Sequence, residues 1–271
     1  MALSDTLQRF RGQVVLVTGG SRGIGRAIAR AFAGEGAGVA LVSSHADGVK
    51  RVADELFGAW KSPAKFERVR TGFLAPAPVN ETIETPDKAN AMFVAGLRVN
   101  LSDRDPDYAA MLFGNYMLGG GFLNSRLATR IRVKDGLSYG ISSNFGAKSI
   151  EQDGQFQMFA IAAPQNVSKV EAAFREEIDK VLKDGFTQQE VNAARSGWTQ
   201  SQQVNRSEDR ALAQLLGARD FDGRTMSWDD ELQNRVLSLT PDDIRAAMRK
   251  HLDLTKMIIV KAGDFKKNAG Q

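Results

Sequence analysis

The chain has 271 residues, 42% hydrophobic and 25% charged, with 36 Lys and Arg against 32 Asp and Glu for a net charge of +4. That mixture supports one large or two small globular domains with a real core, and the interspersed signs argue against a nucleic-acid-binding surface. The absence of cysteine excludes disulfides, thiol nucleophiles and thiolate metal sites.

Residues 13–18 form a short β-branched run expected to be a buried parallel strand. The segment Thr18, Gly19, Gly20, Ser21, Arg22, Gly23, Ile24, Gly25 follows it and opens a helix over 23–32, which Gly34 and Gly36 stop. Residues 39–43 are a second apolar strand, completing the opening of a βαβ unit. Val49, Val52, Leu56 and Phe57 mark the next helix. Strands are expected at 80–84 and 91–99, flanking a turn at Pro86 and Asp87. Asp105 and Pro106 are expected to cap a helix carrying Tyr108, Met111, Leu112, Tyr116 and Leu118 that ends at Gly119, Gly120 and Gly121. A helix at 124–134 and a strand pair at 137–146 and 155–162 come next, then helices at 167–183, 187–205 and 208–221. Thr240, with Pro241, Asp242 and Asp243 behind it, caps a helix through Leu252, and 256–261 returns as a strand. Neighbouring strands with helices gathered after them argue an α+β fold, a layered, mostly antiparallel sheet with helices on one side, preceded by a Rossmann-like βαβ fragment.

The glycine turn has a chemical use. Gly19 permits the tight turn, Gly23 a close approach to a pyrophosphate, and Gly25 close packing of helix on strand. The free amides of the helix start would hold phosphates. On these residues, 10–42 resemble the start of the short-chain dehydrogenase/reductase family. The resemblance implies cofactor contacts at Gly19, Ser21, Arg22, Gly23, Ile24 and Gly25. With Arg22 in the turn and Ser43, Ser44 and His45 after the second strand, it implies a preference for NADP. The family's catalytic Tyr-x-x-x-Lys has no counterpart, because Tyr108, Tyr116 and Tyr139 are followed four residues on by Leu112, Gly120 and Ser143. A tyrosine that must release or accept a proton needs such a lysine beside it.

The body of the chain carries a second resemblance. Phe57-Gly58-Ala59-Trp60-Lys61, Thr85 to Asn90, Asn115 to Gly121, Ser125-Arg126-Leu127 and Arg132 to Tyr139 look like the C-terminal, non-catalytic domain of the pitrilysin/insulinase family of zinc metallopeptidases. That implies a division into a dehydrogenase-like fragment at 1–44 and a peptidase-type domain at 45–271. Family enzymes pair two homologous halves, the first bearing an H-x-x-E-H zinc motif. The second half lends an arginine and a tyrosine to the substrate, here Arg132 and Tyr139, donors suited to a developing oxyanion.

A hydrolytic zinc needs three protein ligands, and this chain has two distant histidines, His45 and His251. No metal site is expected on the chain itself. The resemblance implies zinc on a partner subunit, with peptide as substrate, and a homo-oligomer as the other assembly. His251 is expected to serve the end of its helix, and Trp60, Trp198 and Trp228 to anchor packing. The alternative readings are an NADP-dependent short-chain oxidoreductase, and a fusion or chimera acting as a structural or interaction domain. No apolar run reaches the ~20 residues of a membrane-spanning helix. Residues 1–12 lack the layout of an export signal, so the expected location is the cytoplasm, although bacterial relatives are often exported.

Overall fold

A computed structural model of the chain describes residues 9–44, 46–59, 67 and 69–267. His45 and Trp60 therefore lie outside the described residues. Contacts divide the chain into two compact units, Met1–Val69 and Arg70–Gln271.

In the first unit, β1 (Val14–Thr18) and β2 (Gly38–Val42) pair in parallel from Val14↔Gly38 to Thr18↔Val42. Helix α1 (Gly23–Gly34) connects them, as a parallel pair requires. Helix α2 (Ala46–Phe57) follows β2. Ala29 of α1 and Val52 of α2 are fully buried, and Arg26 and Arg30 of α1 both pair with Glu55 of α2. By contacts α2 thus belongs to this unit, although the change of resemblance at 44/45 precedes it.

The second unit is built on one five-stranded sheet of order β3-β7-β4-β6-β5. Its strands are β3 (Val79–Glu84), β4 (Ala91–Val99), β5 (Ser138–Ala147), β6 (Gly154–Ala162) and β7 (Ile258–Gly263). Only β3 and β7 run parallel. Strand β4 alternates strictly: Ala91, Phe93, Ala95, Leu97 and Val99 are buried, while Met92 on the opposite face is 46% exposed. Beneath the buried face lie α3 (Tyr108–Asn115), α4 (Val167–Asp184), α5 (Gln188–Ser207), α7 (Ser227–Ser238) and α8 (Pro241–His251), which share one hydrophobic core with it. Phe93 meets Phe174 of α4 edge-on at 5.7 Å. The fold is α+β with a mostly antiparallel sheet, and among the described residues no helix is long and apolar enough to cross a membrane.

The final strand inserts between β3 and β4. Two local features differ from the expectations. The Asp105 carboxylate turns back to the backbone N–H of Ser102 at 3.0 Å, so α3 starts without a capping side chain. Helix α7, unmarked by any strong cap, follows α6 (Asp209–Phe221). There the Trp228 ring carries two guanidinium groups over it, Arg219 at 4.4 Å and Arg224 at 4.3 Å. Each arginine forms a two-pronged pair, Arg219 with Asp229 and Arg224 with Asp103. Trp228 and Trp198 both act as packing anchors, the latter meeting Phe113 at 6.1 Å and Tyr116 at 5.5 Å.

Candidate functional site

The residues resembling the peptidase family's substrate contacts sit where two π-helical segments lead into an edge strand. Helix α3 widens into a π-helical segment, Tyr116–Gly120, closed by a hydrogen bond from the Gly121 N–H to the Tyr116 carbonyl at 2.7 Å. Glycine is required at 119, because a Cβ there would lie 2.4 Å from Ser143 Oγ of β5. That serine donates to Asn115 Oδ1 at 2.7 Å, tying the helix to the strand inside the core. The three glycines end a helix and admit β5.

The next helical stretch passes into a second π-helical segment, Ala128–Lys134, with Arg132 exposed in its last turn. Such segments are uncommon and recur at functional sites. Its start is clamped by Arg126, whose guanidinium binds Glu190 at 2.7 and 2.9 Å and the Gly185 carbonyl at 2.9 Å and lies over the Phe186 ring. Burial alone would raise the Glu190 carboxyl. Hydrogen bonds from Arg126 and from Thr187, whose capping box with Glu190 starts α5, outweigh it and hold the pKa at about 2. The end of the segment is held by Arg130, which pairs with Asp135 and with Glu176 of α4.

Gly136 then adopts φ +61°, a conformation an L side chain rarely takes, and reverses the chain into β5. The register of β5 on β6 breaks at once: Ser138 pairs with Ala162 and Gly140 with Ile161, leaving Tyr139 as the extra residue of a β-bulge. The buried Ser138 hydroxyl secures the bulge through the carbonyls of Gly140 at 2.9 Å and Ile161 at 2.7 Å. Bulges re-aim side chains, and Tyr139 is 63% exposed. Arg132 and Tyr139 thus occupy the two arms of one reversal, both exposed and neither with a hydrogen-bond or ion-pair partner among the described residues. Two donors open to solvent can bind backbone carbonyls of a peptide.

His251 has a structural partner, its Nε2 lying 2.9 Å from Asp107 beside the entry to α3, where Lys250 also binds at 2.6 Å. Among the described residues no three His, Cys, Asp or Glu side chains gather as a metal-binding group. The roles of Arg126, Arg130 and Ser138 were not assigned from sequence. The Thr187-x-x-Glu190 spacing could have signalled the capping box, whereas nothing local announces the bulge.

In the first unit the glycine turn is built as its spacing implies. Gly19 and Gly23 have φ of +66° and +57°, and a Cβ on Gly25 would lie 2.4 Å from the Gly19 carbonyl oxygen. Ser21 is buried with its hydroxyl 2.7 Å from Ser43 Oγ, and Ile24 is 82% exposed. Arg22 precedes α1 without capping it by its side chain. Ser21, Arg22, Asp47 and Arg51 line an open concavity of about 640 Å³ between this turn and the start of α2. The bare backbone and two guanidinium groups fit a phosphate.

The second unit is thus a mostly antiparallel sheet with its helices on one face and with Arg132 and Tyr139 exposed on one reversal at its edge. A family model described as the peptidase M16 inactive domain matches residues 32–197, and the chain belongs to that family. It is 33% identical over 209 residues to an uncharacterized zinc protease of Streptomyces coelicolor, covering 73% of this chain and 43% of that protein. The solved peptidase M16 inactive domain from Pseudomonas fluorescens superposes with a TM-score of 0.70 at 26% identity, over 83% of this chain and 53% of the other. The chain therefore spans about half the length of these relatives. Separately, 50 residues are 52% identical to an L-fucose dehydrogenase of Rattus norvegicus, 18% of each chain.

Proposed function

We propose that this chain is the substrate-side half of a zinc peptidase and completes a site with a partner bearing the H-x-x-E-H motif, the dehydrogenase-like fragment at 1–44 being an addition to that half. The observation that carries this reading is the bulge that turns Tyr139 outward beside the equally exposed Arg132 in a member of the M16 inactive-domain family. Zinc, held by the partner, would supply the activated water. The guanidinium of Arg132 and the phenol of Tyr139 orient the peptide backbone and donate to the oxygen on which charge develops. Mixing the chain with a zinc-bearing half is expected to restore cleavage of a peptide that neither cuts alone. Tyr139→Phe is expected to lower that rate by about a hundredfold. Undiminished cleavage by the variant removes Tyr139 from the mechanism, and a self-associated chain that cuts unaided overturns the need for a second subunit.

A second reading is favoured by the 2.4 Å approach at Gly25 and the arginine-lined concavity. We infer that the first unit retains a phosphate-binding turn able to hold NADP without turning it over, its Gly19, Ser21, Arg22, Gly23, Ile24 and Gly25 lying against the diphosphate. Saturable NADPH fluorescence enhancement that Arg22→Gln weakens would support it. Failure to bind at roughly millimolar cofactor would end it.

A further inference from the structure

The sheet of the second unit has a gap. Strand β7 pairs with β4 only over Met92–Gly96, whereas β4 continues on β6 to Val99. On the β7 side, Leu97–Val99 has no neighbouring strand among the described residues, because the chain before Ile258 turns aside in a short 3₁₀ turn, Leu254–Lys256. Alternate residues of an antiparallel strand send both backbone groups to the same side. At least one residue of this stretch therefore offers the gap an N–H and a C=O with no partner among the described residues. On the other flank, the segment leading into β3 supplies Phe73, Ala75 and Pro76 as a wall, and among the described residues no backbone hydrogen bond holds it. Strands β3 and β4 flank β7, two strand spacings of ~4.8 Å apart, so where β7 is missing one strand's width remains.

The gap opens into a cavity of about 580 Å³, a size suited to a small ligand. Leu97, Leu182 and Leu252 give it an apolar floor. Charged side chains line it: Arg98, Arg249, Lys250 and Lys256 with Asp179 and Asp253. Lys250 is paired with Asp107 and Lys256 with Asp253. Arg98 holds Asp153 through one Nη while its Nε is buried with no hydrogen-bond partner. Arg249 and Asp179 have no partner among the described residues. An exposed strand edge selects an extended backbone, and the floor selects an apolar side chain. Two guanidinium groups with free donors, the buried Nε of Arg98 and the unpaired Arg249, select an anion, against the one unpaired carboxylate of Asp179.

We propose that this gap binds the C-terminal end of a peptide: two or three residues laid beside Leu97–Val99 as a short added strand, with an apolar last side chain and the free carboxylate among Arg98 and Arg249. The site is separate from the Arg132–Tyr139 reversal and needs no zinc-bearing partner, so its failure and that of the peptidase reading are distinguishable. The test is calorimetric titration of the whole chain with acetyl-Gly-Val-Leu as free acid, as C-terminal amide, and with the Val amide N-methylated. The acid is expected to bind with Kd under roughly 1 mM, and the amide about tenfold more weakly. Arg249→Gln weakens the acid, Asp179→Asn tightens it, and N-methylation weakens it by removing a strand-edge donor. Both substituted groups lie at the protein surface, and unchanged circular dichroism confirms that each variant is folded. Equal binding of acid and amide, indifference to Arg249→Gln, or no binding of the acid at millimolar concentration overturns the proposal. Decanoate binding more tightly than the peptide acid overturns it in favour of a fatty carboxylate.

Discussion

The two units contain strands of similar composition with very different fates. In the first, Val14 and Leu16 of β1 are 79% and 49% exposed although they read as core. In the second, every alternate residue of β4 from Ala91 to Val99 is buried. The difference is what covers them. A two-stranded sheet with two helices has too little surface to enclose its strands, whereas five strands over a helical layer enclose one contiguous core. An apolar run states a need for burial, and only its neighbours meet it.

That comparison can be broken most directly in the core. Phe93→Ala is expected to cost about 3–5 kcal/mol of stability, against under about 0.5 kcal/mol for Val14→Ala, read as shifts in urea midpoint. Comparable losses would mean that β1 is covered after all. Next in size is the buried pair at the α6–α7 connection. Asp103→Ala leaves Arg224, whose side chain is 8% exposed, without its carboxylate and is expected to cost about 3–5 kcal/mol. A loss near zero would show that this pair does not hold the connection.

Smaller effects sharpen the contrast at the two glycine turns. Gly25→Ala sets a methyl group against rigid backbone and is expected to cost about 1–3 kcal/mol within the first unit, measured by hydrogen exchange in α1. Gly119→Ala is expected to cost about 1–3 kcal/mol in the second unit, because the added methyl would lie 2.9 Å from both the Cβ and the backbone nitrogen of Ser143, which rotation of that side chain does not move. The smallest effect is a pH dependence. The Glu190 carboxyl is depressed to about 2 from 4.5, so its contribution is fully present above pH 4.5 and disappears as the pH falls through about 2. Because the side chain is 37% exposed, solvent screening leaves about 1 kcal/mol. The stability gap between wild type and Glu190→Gln should close over that interval. A gap that persists below pH 2 would mean that charge is not its source.

Much of the fold is legible in the sequence because it depends on short-range chemistry. The Thr240 capping box, the Pro241 start, the glycine turn and the alternation of β4 each lie within a few residues. Tyr139 and Arg132 were legible as candidates through resemblance, but not the means of their exposure. The bulge depends on Ser138 bonding to Ile161 on another strand. Asp105 illustrates the opposite error: its local context suits a helix cap, yet Ser102 offers a competing donor.

By itself, then, the sequence determined the class of most elements and carried the resemblance of the body of the chain to one peptidase domain, since composition and periodicity act along the chain. Tertiary structure alone decided that the last strand enters between β3 and β4 and stops short of the end of β4. It also decided that the tyrosine stands out from an edge. Both outcomes follow from pairing between residues far apart in sequence, where hydrogen-bond partners are chosen by the packed core rather than by neighbours along the chain.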